Sequence, residues 1–160
     1  MGPETGTGHR VGLSFGEVRD LLGLQPLAVE GGWWAQTHLD SVSGAIYYLL
    51  GPGDHSRLHR LHAREIYHFH GGAPLELVLV DDGGLRVVTL GMDLRAGQRP
   101  QVVVPPGVWQ GSVTTGDWSL VGTTMAPPFD PERCEFADRT TLGQLCRRFP
   151  HQADLLTRLA

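Results

Sequence analysis

The chain has 160 residues, a length that suits one domain with its own core, and a formal net charge of −4. That charge and the lack of a basic run argue against nucleic acid as a partner, and because all 13 basic residues are arginine, Schiff-base chemistry, pyridoxal phosphate attachment and a P-loop lysine are excluded outright. No apolar run approaches the roughly 20 residues that span a bilayer, and the stretch Met1 to Arg10 lacks an apolar signal core, which predicts a cytoplasmic protein with no membrane partner.

Residues 1–12 are rich in Gly, Thr and Pro and read as a flexible tail, followed by a single domain over residues 13–160 without repeat or linker. Ser14 followed by Glu17 is a capping-box pattern. Val18, Leu21 and Leu22 then supply a helical stripe that Gly23 stops, so a helix is predicted near residues 14–22. Glu30-Gly31-Gly32 reads as a loop that delivers Trp33 and Trp34, either of which would cover the mouth of a pocket. The runs Ala45–Leu50, Leu75–Val80, Leu85–Leu90, Gln101–Val104 and Ser119–Thr124 are β-branched or aromatic and bounded by Gly, Pro and Asp, which predicts strands. Asp81-Asp82-Gly83-Gly84 is a hairpin signal, and Gly51-Pro52-Gly53-Asp54 marks another turn. From Thr140 to Leu159 one or two short helices are expected, broken at Pro150. Many short strands with short turns make the fold class all-β, a sandwich or barrel with short flanking helices. Cys134 and Cys146 are expected to stay reduced and unpaired in a cytosol.

Between Gly53 and Gly72 lie five of the eight histidines and Glu65. The flanking segments read as strands, and the inner face of a sheet is normally apolar. Titratable groups on that face need a metal, a ligand or each other as partners. Strand side chains alternate, so an inward His59 carries Leu61 inward and Arg60 outward. Likewise an inward Glu65 takes Tyr67 and Phe69 with it and leaves His68 and His70 on the outer face, unless a bulge breaks the parity.

The spacing Gly53, His59, Leu61, Glu65, Gly72 resembles the first cupin motif, G-x5-H-x-H-x3-E-x6-G, with Leu61 in place of the second histidine. Pro105-Pro106-Gly107-Val108-Trp109-Gln110 resembles the second motif, with Gln110 in place of its final histidine. Glu30-Gly31-Gly32-Trp33-Trp34, Ala45–Leu50, Leu90-Gly91, Val121-Gly122-Thr123-Thr124 and Pro128-Phe129-Asp130 follow in the order seen in the cupin-5 (DUF985) family of RmlC-like cupins. The resemblance covers roughly residues 14 to 150 and implies a cupin double-stranded β-helix, or jelly-roll barrel. It also implies a homodimer paired through sheets, and a metal site stripped to His59 and Glu65. No cofactor is expected. A weakly held divalent metal would use His59, Glu65 and, only if the strand parity fails, His68.

Without a metal, a carboxylate beside an imidazole favours its charged form and fixes its orientation. The resemblance to RmlC-type epimerases, which also lack a metal, implies by position that His59 would be the proton carrier, with Glu65 as its partner and Tyr67 as the general acid. Gln110, Leu61, Trp34, Tyr48 and Glu76 complete the candidate binding set. Tyr48 reads equally as core packing, and Glu76, between Leu75 and Leu77, faces either pocket or solvent. The simpler alternative for His59 is a core histidine bonded to Glu65. The leading functional reading is a metal-independent isomerase, epimerase or lyase acting on a sugar-like, carboxylate or carbonyl compound. A metal-dependent oxygenase and a non-catalytic ligand-binding protein are the alternatives.

Overall fold

The computed structural model describes residues 12–160, so the tail expected over residues 1–12 lies, but for Gly12, outside the described residues. Helix α1 (Phe15–Leu21) starts as a reciprocal capping box: the Glu17 amide donates to Ser14 Oγ, and the Ser14 amide donates to Glu17 Oε2. Eleven strands follow in two antiparallel sheets, and these make the expected all-β architecture. The first sheet holds β1 (Gln25–Pro26), β2 (Trp33–Leu39), β3 (Gly44–Leu50), β10 (Ser119–Met125), β5 (Glu65–Gly72) and β8 (Gln101–Val104), in that spatial order. The second holds β11 (Glu135–Phe136), β4 (His55–Arg60), β9 (Trp109–Thr114), β6 (Leu75–Asp81) and β7 (Gly84–Leu90). The Asp81–Gly84 hairpin forms as expected, with those two residues paired across the turn. Two short helices, α2 (Arg139–Arg148) and α3 (Ala153–Arg158), close the chain on either side of a 3-10 turn at Pro150–Gln152.

Facing side chains of the two sheets build the interior. Leu50, Tyr48, Tyr67, Leu75, Leu77, Leu79, Leu90, Val104 and Val121 form one buried cluster. Alternation explains the membership: Leu75, Leu77 and Leu79 point inward from β6, while Val78 and Val80 point the other way. The outer face is not solvated there. Val78, Val80, Leu58 and Trp109 are covered by Leu145 of α2, Leu156 of α3 and the following Leu159. On the first sheet, Leu49 and neighbouring side chains pack under Val18 of α1. Both sheets are thus partly clad on their outer faces, and β6 buries apolar residues on both of its own. No helix among the described residues is long and apolar enough to cross a membrane.

Candidate functional site

The inner face of β4 does not follow simple alternation. Ser56 pairs with Ser112 and His59 with Gln110, so Arg57 and Leu58 together oppose one residue of β9. This is a bulge, and it lets Ser56 and His59 both face inward although three positions apart. It also frees the Arg57 carbonyl, which lies 2.6 Å from His59 Nδ1. A carbonyl only accepts, so Nδ1 carries a proton, and the neutral tautomer this selects has a bare Nε2. The ring is 2 % exposed and lies 5.6 Å, centroid to centroid, from Phe136.

Nε2 faces Glu30, whose Oε1 is 3.9 Å away. The expected partner was Glu65, but no His59–Glu65 ion pair forms; Glu30, distant in sequence, takes that place. The loop that carries Glu30 is held by its backbone. Gly31 and Gly32 have φ of 96° and 72°, where side chains are strained, and a Cβ on Gly32 would sit 2.7 Å from both Leu50 Cδ2 and the Tyr48 hydroxyl. The Tyr48 hydroxyl donates to the Gly31 carbonyl at 2.7 Å, the Arg57 amide donates to the Glu30 carbonyl at 2.8 Å, and Ser56 Oγ donates to Glu30 Oε1 at 2.6 Å. Three contacts and two glycines therefore aim one carboxylate at one imidazole nitrogen.

His59, Glu30 and Glu65 line a cavity of about 210 Å³ at one end of the barrel. Gln36 and Thr123 add polar atoms, and Trp34, Leu61, Met125 and Phe129 supply much of the apolar wall. Glu65 starts β5 opposite Met125 and is buried. Burial holds its carboxyl above the usual carboxylate range, against the opposing pull of nearby His59. Gln110 Nε2 donates to Glu65 Oε2 at 3.0 Å, and Gln110 Oε1 accepts from the Tyr67 hydroxyl at 2.8 Å. Burial next to these carboxylates also weakens neighbouring acids. The Cys134 thiol is pushed up to about 12, and the Tyr48 and Tyr67 hydroxyls are raised well above the ordinary phenol value.

Several sequence-predicted residues stand elsewhere than expected. Leu61 and Trp34 are in the cavity wall; Trp33 and Trp34 open strand β2 directly after the Glu30-Gly31-Gly32 loop, and Trp33 turns away to meet Phe15 at 6.1 Å. Tyr67 and Gln110 are inward but lie behind the wall, with their polar atoms spent on each other and on Glu65. Tyr67 is therefore not placed as a general acid, nor Gln110 as a ligand contact. Tyr48 likewise serves the Gly31 carbonyl from within the core. Glu76 faces away from the cavity, on the same side of β6 as Val78 and Val80. His68 points outward, with Nε2 3.0 Å from Thr124 Oγ1 and Nδ1 3.4 Å from Gln101 Nε2, so it cannot join His59 and Glu65 around a metal. Among the described residues no three His, Cys, Asp or Glu side chains are grouped to hold a metal ion. Cys134 and Cys146 are both free thiols. Glu30, Gln36, Thr123 and Phe129 were the unforeseen members of the site. The available hint was Glu30 standing alone among apolar and glycine neighbours.

Comparison with known proteins agrees with this architecture. The family described as Cupin superfamily (DUF985) matches residues 17–137. A crystal structure of a Shewanella oneidensis protein is 31 % identical, covers 93 % of this chain and 98 % of its own, and superposes with a TM-score of 0.82. A hypothetical protein from Leishmania major is 25 % identical over 92 % of this chain and 99 % of its own, with a TM-score of 0.79. A cupin 2 conserved barrel domain protein from Rhodopseudomonas palustris shares the fold at 16 % identity and a TM-score of 0.61, covering 81 % of this chain and 83 % of its own. No curated protein matches the chain.

Proposed function

The chain belongs to the DUF985 family of the cupin superfamily, and on that premise we propose that its barrel is the site of a metal-independent isomerase, epimerase or lyase acting on a small carbonyl compound, with His59 as the general base. One observation carries the reading. His59 Nδ1 is tied to the Arg57 carbonyl, so the bare Nε2 is left at the cavity, fixed in orientation and without a hydrogen bond among the described residues.

The step it supports is proton abstraction next to a carbonyl. Nε2 takes the proton from the α-carbon, the C–H electron pair moves into the enolate, and the carbonyl oxygen becomes the developing anion. The imidazolium that forms faces Glu30, 3.9 Å away, which offsets its charge. Glu65, whose carboxyl burial holds above the usual carboxylate range, lines the same cavity and is the proposed proton donor to the oxyanion. Return of the proton to the same or a neighbouring carbon gives epimerisation or isomerisation, and expulsion of a β-substituent gives a lyase.

The test is a proton NMR screen in D2O of small hydroxyketones, aldoses and ketoses with wild type and His59→Gln. The reading expects solvent deuterium to enter the α-position of at least one compound with wild type only. Equal exchange by His59→Gln would contradict it, as would exchange that stops on chelation and returns with a transition metal.

A further inference from the structure

The cavity wall holds two carboxyl groups and no guanidinium. Glu30 and Glu65 both line it, and none of its wall residues is an arginine. Among the described residues, no arginine reaches either carboxylate; the arginine ion pairs go to Asp20, Glu135 and Asp81. The nearby arginines turn away. Arg57 lies over Phe136 at 5.2 Å, and Arg60 lies over Trp109 at 4.6 Å while pairing with Glu135. The one group able to balance Glu30 is His59, and its Nε2 is 3.9 Å away, beyond a hydrogen bond, in a side chain 3 % exposed. His59 Nε2 has no hydrogen bond among the described residues and Glu30 Oε1 has only Ser56 Oγ, so both keep acceptor capacity toward the cavity.

From this we infer that the ligand is a small protonated amine, with its ammonium group seated by Glu30 and its apolar body against Trp34, Leu61 and Met125. The inference rests on the reading of this cavity as the ligand site, but not on any turnover there. An ammonium group donates up to three hydrogen bonds, and the Glu30 carboxylate is the charged acceptor the cavity offers it. Trp34 and Phe129 add aromatic surface of the kind that attracts organic cations. Anionic ligands, sugar nucleotides and free carboxylates included, meet the opposite: the Glu30 carboxylate, with no guanidinium in the wall to receive them.

Calorimetric titration of the full chain with benzylamine, benzyl alcohol and benzoate separates the classes on one ring skeleton. Benzylamine is expected to bind at least about tenfold more tightly than benzyl alcohol, and benzoate not at all up to about 1 mM. Glu30→Gln should bring benzylamine down to the level of the alcohol and leave the alcohol within about threefold of its wild-type value. Should Glu30→Gln fail to fold, Gln36→Arg at the exposed cavity wall is the second variant, expected to abolish amine binding and admit benzoate. Equal binding of all three compounds, a preference for benzoate, no binding of benzylamine, or an unchanged amine preference in the variant that folds overturns the inference. A wild-type protein that shows no amine preference but does show deuterium exchange would refute this inference alone, whereas a wild type with the amine preference and no exchange would refute only the catalytic reading.

Discussion

Gln110 is the residue whose removal distinguishes a structural hydrogen-bond chain from a catalytic one. It is 1 % exposed, accepts from Tyr67 and donates to Glu65. Gln110→Leu keeps roughly the same bulk but leaves the Tyr67 hydroxyl and Glu65 Oε2 without that partner. A buried group left unsatisfied costs about 1–3 kcal/mol, so two of them come to about 3 kcal/mol at the lower half of that range. Tyr67→Phe orphans only Gln110 Oε1, about 1.5 kcal/mol. In the double variant the Tyr67–Gln110 bond is missing on both sides, and only Glu65 is orphaned. The double variant should therefore lose about 1.5 kcal/mol, less than Gln110→Leu alone, with a coupling of about 3 kcal/mol. Urea denaturation followed by circular dichroism reads all four proteins, and at about 2–4 °C per kcal/mol the Tm series should follow the same order. Additive losses, with the double variant the least stable of the four, would refute the chain. Because the Tyr67 hydroxyl does not reach the cavity, Tyr67→Phe should also leave any proton exchange by His59 within about threefold.

Glu65 gives a pH prediction. A carboxyl whose folded pKa is raised stabilises the fold fully below its unfolded value and loses that contribution as pH rises through the folded value. The Tm of Glu65→Gln minus that of wild type should thus increase as pH rises above 4.5, and a difference that is flat or falls with pH would count against burial as the cause. Leu61 and Gln110 stand where two ligand histidines would be, so elemental analysis after mild chelation should find well under one transition metal per chain; a value near one would revive the oxygenase alternative. Sedimentation at micromolar concentration should give a homodimer of the 17.4 kDa chain, paired through the outer face of the first sheet where Val103 is 46 % exposed; a monomer alone would contradict this.

The motif spacing made His59, Leu61 and Glu65 legible as inward-facing because residue spacing on a strand fixes which face a side chain takes. It made the partner of His59 illegible, since Glu30 comes from a loop 29 positions away and only the closed barrel brings the two together. Tyr67 and Gln110 were correctly read as inward, but direction does not reveal depth, and both fall behind the wall. Glu76 was ambiguous for a different reason. With helices α2 and α3 on the outer face of β6, its apolar residues run without the alternation that marks a pocket side. The bulge at Arg57 and Leu58 left no signature of its own, yet it allows Ser56 and His59 to share one face.

The proposed catalysis depends on one nitrogen. Nitrogen-15 NMR of the free protein, at about pH 8 where an ordinary imidazole is neutral, reports the His59 tautomer directly. With Nδ1 donating to the Arg57 carbonyl at 2.6 Å, the spectrum should show a protonated Nδ1 and a bare Nε2 open to the cavity. A proton on Nε2 would remove the base from the site and contradict the account.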